Sequence, residues 1–119
     1  GGTIPMLEGR IASGLAKLGT RAPARFSGAV ETPLREPAID AMRRYYADTA
    51  SFGSRAAIAC GLEFFGGDRI LFATDMPFDP EQGPGYIRDT LAAIDQLPLN
   101  EGERKAILSG NAKRLLKLT

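Results

Sequence analysis

Only two stretches of this 119-residue chain read as β-strands, and a helix lies between them. Tyr45-Tyr-Ala-Asp-Thr-Ala50 is rich in aromatic and β-branched residues, which favour the extended state. Arg69 to Ala73 is a nearly continuous apolar run, as expected of a strand buried on both faces. Between them, Ser54 is placed to cap a helix running to about Phe65, with Ile58, Leu62 and Phe65 on one face, and Gly66-Gly67-Asp68 stops it. A strand–helix–strand unit of this kind brings its strands together in parallel through a right-handed crossover. Two strands alone make a poor sheet, because each presents an edge of unpaired N–H and C=O groups. The sequence therefore demands neighbours, either further residues of the same protein or a second copy of the chain.

The remainder is helical or irregular. Ile4 to Leu18 carries Pro5 in a first turn and Ile4, Leu7, Ile11, Leu15 and Leu18 on one face, with Gly19 as its expected left-handed cap. Thr20 to Pro37 holds three prolines and no clear period, so it reads as a loop. A loop that long is either a functional rim or a surface that other residues cover. Ala38 to Arg44 is a short helix, and Tyr86 to Leu97 is a longer one with Ile87, Leu91 and Ile94 inward. Asn100 caps another helix in a capping box with Glu103. That helix should end near Gly110, with a final turn starting at Asn111. The fold class is thus α/β and helix-rich, a single unit over residues 1–119, and too short for an eight-stranded barrel of about 250 residues.

Composition narrows the function classes. Fifteen basic and fourteen acidic residues give a net charge of +1, which supplies no drive toward nucleic acid or an anionic membrane. The nearest approach to a basic cluster is Lys113, Arg114 and Lys117, where positive charge complements the end of a last helix. One cysteine, Cys60, excludes an internal disulfide. It lies in an apolar stretch and is expected to be a small buried side chain, which fits a reducing, cytoplasmic location. No apolar span of membrane length is present. Gly83-Pro-Gly85 lacks the lysine and spacing of a phosphate loop, and there is no cysteine pair for zinc.

Asp75 is the leading candidate for chemistry. It directly follows the apolar strand, and Pro77 prevents further pairing two residues later. In parallel α/β folds reactive side chains gather at the carboxyl ends of strands, where a carboxylate can bind a divalent metal or transfer a proton. The alternative is a turn-capping aspartate bonded to nearby amides. Asp48, within the first strand, either lines the same rim or is simply hydrogen-bonded at a strand end. Arg10 either meets an acidic substrate or pairs with a surface carboxylate such as Glu8. Against these stands the complete absence of histidine from the chain.

The run Ile70-Leu-Phe-Ala-Thr-Asp-Met-Pro-Phe78 resembles the last barrel strand of the amidohydrolase-related family. That family contains aminocarboxymuconate-semialdehyde decarboxylase, γ-resorcylate decarboxylase and related lactone hydrolases. Gly1-Gly-Thr-Ile-Pro-Met-Leu-Glu-Gly-Arg-Ile11 is similar to the segment after the sixth strand, and Tyr45-Tyr-Ala-Asp-Thr49 to the seventh strand. Ile107-Leu-Ser-Gly-Asn-Ala-Lys-Arg-Leu-Leu116 is similar to the closing helix.

The resemblance implies the C-terminal fragment of a (β/α)8 TIM barrel, its last two strands with flanking helices. It also implies a divalent metal, zinc or manganese, in the parent enzyme, held by histidines on earlier strands and an aspartate on the eighth. Only that aspartate maps here, onto Asp75, as metal ligand and catalytic group. One carboxylate does not make a catalytic metal site, which takes about three protein ligands. The chain by itself is therefore expected to bind no metal and to be inactive in isolation. The partners so implied are the missing N-terminal part of the barrel and a small-molecule substrate: a carboxylic acid, lactone or amide. The alternative is a non-catalytic half-barrel or truncated product that self-associates through exposed strand edges.

Overall fold

The computed structural model describes residues 2–21 and 36–118. A 3-10 turn at Pro5–Leu7 leads into α1, Glu8–Arg21. The helix expected over Ile4 to Leu18 is present, but it runs on through Gly19 and so is not capped there. An internal glycine costs a helix about 1 kcal/mol relative to alanine without breaking its hydrogen-bond ladder. The apolar face of α1 is incompletely covered: Ile4 and Ile11 are half-buried, whereas Leu7 is 43% and Leu15 36% exposed. An ion pair between Glu8 and Arg43 ties α1 to α2, Ala38–Arg43. Most of the loop expected over Thr20 to Pro37 lies outside the described residues; Thr20 and Arg21 belong to α1.

Two parallel strands form the centre: β1, Ala47–Asp48, and β2, Ile70–Leu71, in the register Ala47 to Ile70 and Asp48 to Leu71. Both are shorter than the sequence suggests, because a side chain replaces the ladder. Thr49 N–H donates to Leu71 O at 3.0 Å. Its hydroxyl then accepts from Ala73 N–H at 3.0 Å and donates to Ala73 O at 2.8 Å. Thr49 is fully buried, so these bonds form away from water and fix the path of the chain beyond β2.

The opposite edge of β2 corrects an expectation of the sequence. Ile70 O accepts from Asn111 Nδ2 at 2.7 Å, and Phe72 N–H donates to Ile107 O at 3.0 Å. Both acceptor and donor face away from β1, so the carboxyl-terminal helix occupies that edge where an unpaired one was expected. Burial of β2 on both faces also holds only in part. Ile70 is buried, whereas Leu71, Phe72 and Ala73 are half-buried.

α3, Arg55–Phe65, follows the predicted cap, with Ser54 Oγ accepting from Ala57 N–H at 3.3 Å. Gly66 ends it at a φ of 80°, a conformation glycine adopts without strain. α4 spans Pro84–Asp95. The capping box of α5, Glu101–Lys105, is complete: Asn100 Oδ1 accepts from Glu103 N–H at 2.9 Å and Glu103 Oε2 from Asn100 N–H at 2.8 Å. The expected stop near Gly110 does not occur. A π turn at Ala106–Gly110 passes without interruption into α6, Asn111–Leu116, and Gly110 keeps a helical φ of −61°.

The core gathers Ile58, Phe64 and Phe65 of α3, Ile70 of β2, Ala93 and Ile94 of α4, Leu97 just beyond it, and Ile107 of the π turn. Phe64 and Phe65 meet edge to face with ring centroids 4.7 Å apart, a favourable quadrupole arrangement. Cys60 is half-buried, less than the sequence suggests. Among the described residues no helix is long and apolar enough to cross a membrane.

Candidate active-site rim

Parallel strands deliver both of their following loops to the same end of the sheet. The loop after β1 covers residues 49–54, and the loop after β2 covers residues 72–83. Asp75 sits in the second, exposed, at a φ of 62°. Aspartate is among the few L-residues that tolerate this left-handed conformation. The turn closes with Phe78 N–H approaching Asp75 O at 3.4 Å, and the Met76–Pro77 peptide is cis. Met76 and Phe78, the next apolar residues of the same turn, are 55% and 76% exposed. Apolar side chains held in water beside a carboxylate suit a ligand with both an apolar body and a polar group.

Asp48 takes the strand-end role: its Oδ1 accepts from Ala50 N–H at 3.1 Å. Arg10 is exposed on α1, and Glu8 pairs with Arg43. Arg114 anchors the fold, its Nη2 donating to Asp68 O at 2.6 Å and to Asn111 Oδ1 at 3.1 Å. Among the described residues no three histidine, cysteine, aspartate or glutamate side chains are grouped to hold a metal ion. The donors present thus do not fit a resident catalytic metal by themselves.

The loop after β2 is organised by a residue that the sequence does not single out. Asp79 is only 5% exposed, and its carboxylate accepts from Glu81 N–H at 2.7 Å and Tyr86 N–H at 3.4 Å. A side chain on Gly85 would collide with it, since a Cβ there would lie 2.9 Å from Asp79 Oδ1. Burial acts to raise the Asp79 pKa, but the amides of Glu81, Tyr86, Gly83 and Gly85 outweigh it and hold the group below its ordinary 3.8. The available signal was an aspartate shortly before a Gly-Pro-Gly helix start, where an acidic cap is favoured.

The pH consequence has a definite sign. A depressed native pKa contributes stability that is present above about pH 4 and is lost as pH falls through the native value. Protection of the Tyr86 amide, taken relative to its intrinsic exchange rate, is therefore expected to be high at pH 6 and to fall on acidification below about pH 4. In Asp79→Asn it should be low at both. Equal protection of Tyr86 in the variant at pH 6 would show that the carboxylate does not hold the loop.

Comparison with known proteins bears on the whole chain. Residues 13–118 match the family model described as amidohydrolase. The chain superposes on the 5-carboxyvanillate decarboxylase of Sphingomonas paucimobilis with a TM-score of 0.73 and 22% identity, covering 98% of this chain and 31% of that one. For the apo form of IDCase from Metarhizium anisopliae the TM-score is 0.72 and the identity 28%, covering 99% and 32% of the two chains. A 2,6-dihydroxybenzoate decarboxylase, in complex with 2,6-dihydroxybenzoate, gives a TM-score of 0.66 at 23% identity, covering 97% and 32%. The chain spans about a third of the length of these solved structures. No curated protein matches it. Its fold is that of part of a (β/α)8 barrel.

Proposed function

Because the chain belongs to the amidohydrolase family, we propose that it forms the carboxyl-terminal part of a metal-dependent barrel that decarboxylates a small aromatic acid. The observation that carries this reading is Asp75, presented in a left-handed turn at the carboxyl end of β2. Support for decarboxylation over hydrolysis comes from the solved structures it resembles, two of which act on benzoate-type acids by their titles. The metal would draw its remaining donors from outside the described residues.

What this chain contributes is a carboxyl group and the apolar surface around it. Loss of CO2 breaks the carbon–carboxyl bond and leaves its electron pair on the ring carbon, which must then take up a proton. A carboxyl group at a strand end can hold that proton and deliver it. Met76 and Phe78, exposed in the same loop, offer apolar surface for the ring. A second reading, a non-catalytic half-barrel that self-associates, draws on the exposure of Met6, Leu116 and Leu118 at 78%, 64% and 59%.

The test is product analysis on the complete barrel that carries this segment, beside the 119-residue chain alone. Release of CO2 from 2,6-dihydroxybenzoate or 5-carboxyvanillate is expected from the former and none from the latter. Lactone hydrolysis with no CO2 from either acid would replace the decarboxylase by a hydrolase.

A further inference from the structure

We infer that Phe52, braced on Tyr86, is the surface against which the ring of an aromatic acid stacks, and so determines substrate specificity at the Asp75 rim. The inference rests on the decarboxylase reading above and names a residue that this reading leaves unused. Three observations converge on it. Phe52 is held at a φ of 53° and Gly53 at 75°, in a turn closed by Ser54 N–H donating to Ser51 O at 3.0 Å. Such turns, with positive φ at both central positions, are dominated by glycine, asparagine and aspartate. A bulky aromatic residue there is a conformational outlier, of the kind that persists where the surroundings over-determine it.

The surroundings do so here. Gly53 backs directly onto α4, where an added Cβ would lie 2.8 Å from Asp89 Cβ. The turn thus packs directly on the helix through Gly53. The Phe52 ring meets the Tyr86 ring with centroids 4.6 Å apart and a tilt of 31°. Despite this contact Phe52 remains 56% exposed, so its strained conformation is not explained by burial.

Tyr86 also joins the two rim loops. Its ring supports Phe52 of the loop after β1, and its N–H bonds Asp79 of the loop after β2, four residues beyond Asp75. The aromatic face and the carboxylate are therefore carried on mechanically connected loops at one end of the sheet. A planar ring stacks on such a face in a way that a puckered aliphatic ring of similar size does not.

The experiment is an NMR titration of the 119-residue chain with 2,6-dihydroxybenzoate and, separately, with cyclohexanecarboxylate. The aromatic acid is expected to shift the Phe52 and Tyr86 ring protons and to bind about fivefold more tightly than the aliphatic one. Phe52→Tyr should keep that preference. Phe52→Asn, which suits positive φ and so preserves the turn, should abolish it while the other amide resonances stay in place. Equal affinity for the two acids, no binding of either, or a preference that survives Phe52→Asn would overturn the inference. Turnover is read separately: a barrel that binds aromatic acids on Phe52 yet releases no CO2 fails the decarboxylase reading and leaves the stacking surface standing.

Discussion

Asn111→Leu is expected to destabilise the chain by about 3 kcal/mol, although leucine has the same branched skeleton of heavy atoms. Asn111 is fully buried, and its amide donates to Gly67 O and to Ile70 O, each at 2.7 Å. Its Oδ1 accepts from Arg114, which in turn donates to Asp68 O. Leucine would leave two inward carbonyls without donors, and each such loss costs roughly 1–3 kcal/mol. The same change removes one of the two bonds by which the carboxyl-terminal helix holds the edge of β2, leaving Phe72 N–H on Ile107 O. Urea unfolding followed by circular dichroism measures the first effect, with Leu116→Ala, at a site 64% exposed, as a nearly neutral control. A loss below about 1 kcal/mol would show that the amide network is replaceable by water or by packing.

Asp75→Asn is expected to lower turnover of the complete barrel by about 10²–10⁴-fold, the usual contribution of a positioned proton-transfer group. Asparagine is the informative replacement because it shares aspartate's tolerance of the left-handed region occupied at φ 62°. Alanine would add backbone strain of roughly 1–2 kcal/mol and confuse a folding defect with a chemical one. Asp75 is exposed and takes no part in the core, so thermal unfolding should be unchanged. Activity within tenfold of the wild type would remove Asp75 from the chemistry and return it to the turn-forming role that the sequence also allowed.

The elements that sequence reading found are those specified by neighbours along the chain. The Ser54 cap and the Asn100–Glu103 box are local side-chain-to-amide bonds, legible from spacing alone. The parallel pairing of the two apolar runs followed from the helix between them. The position of Asp75 after the second run was legible for the same reason. Glycine misled twice, because Gly19 stays helical where a cap was expected and Gly110 where a helix end was expected.

The residues that were missed act across long sequence separations. Thr49 and Ala73 are 24 positions apart, and Asn111 and Ile70 are 41 apart. Phe52 reads as an ordinary loop aromatic until Tyr86 is beneath it. Asp79 looks like one more loop acid until its carboxylate is seen buried under four amides.

The sequence by itself thus determined the order of the helices and strands, their parallel sense and the acid at the strand end, since propensity, capping and periodicity are properties of adjacent residues. The tertiary structure alone decided which edge of β2 the last helix occupies, which polar groups are buried, and which two rings meet across the rim loops. Those depend on where distant backbone groups must find hydrogen-bond partners out of water, and no local pattern encodes that.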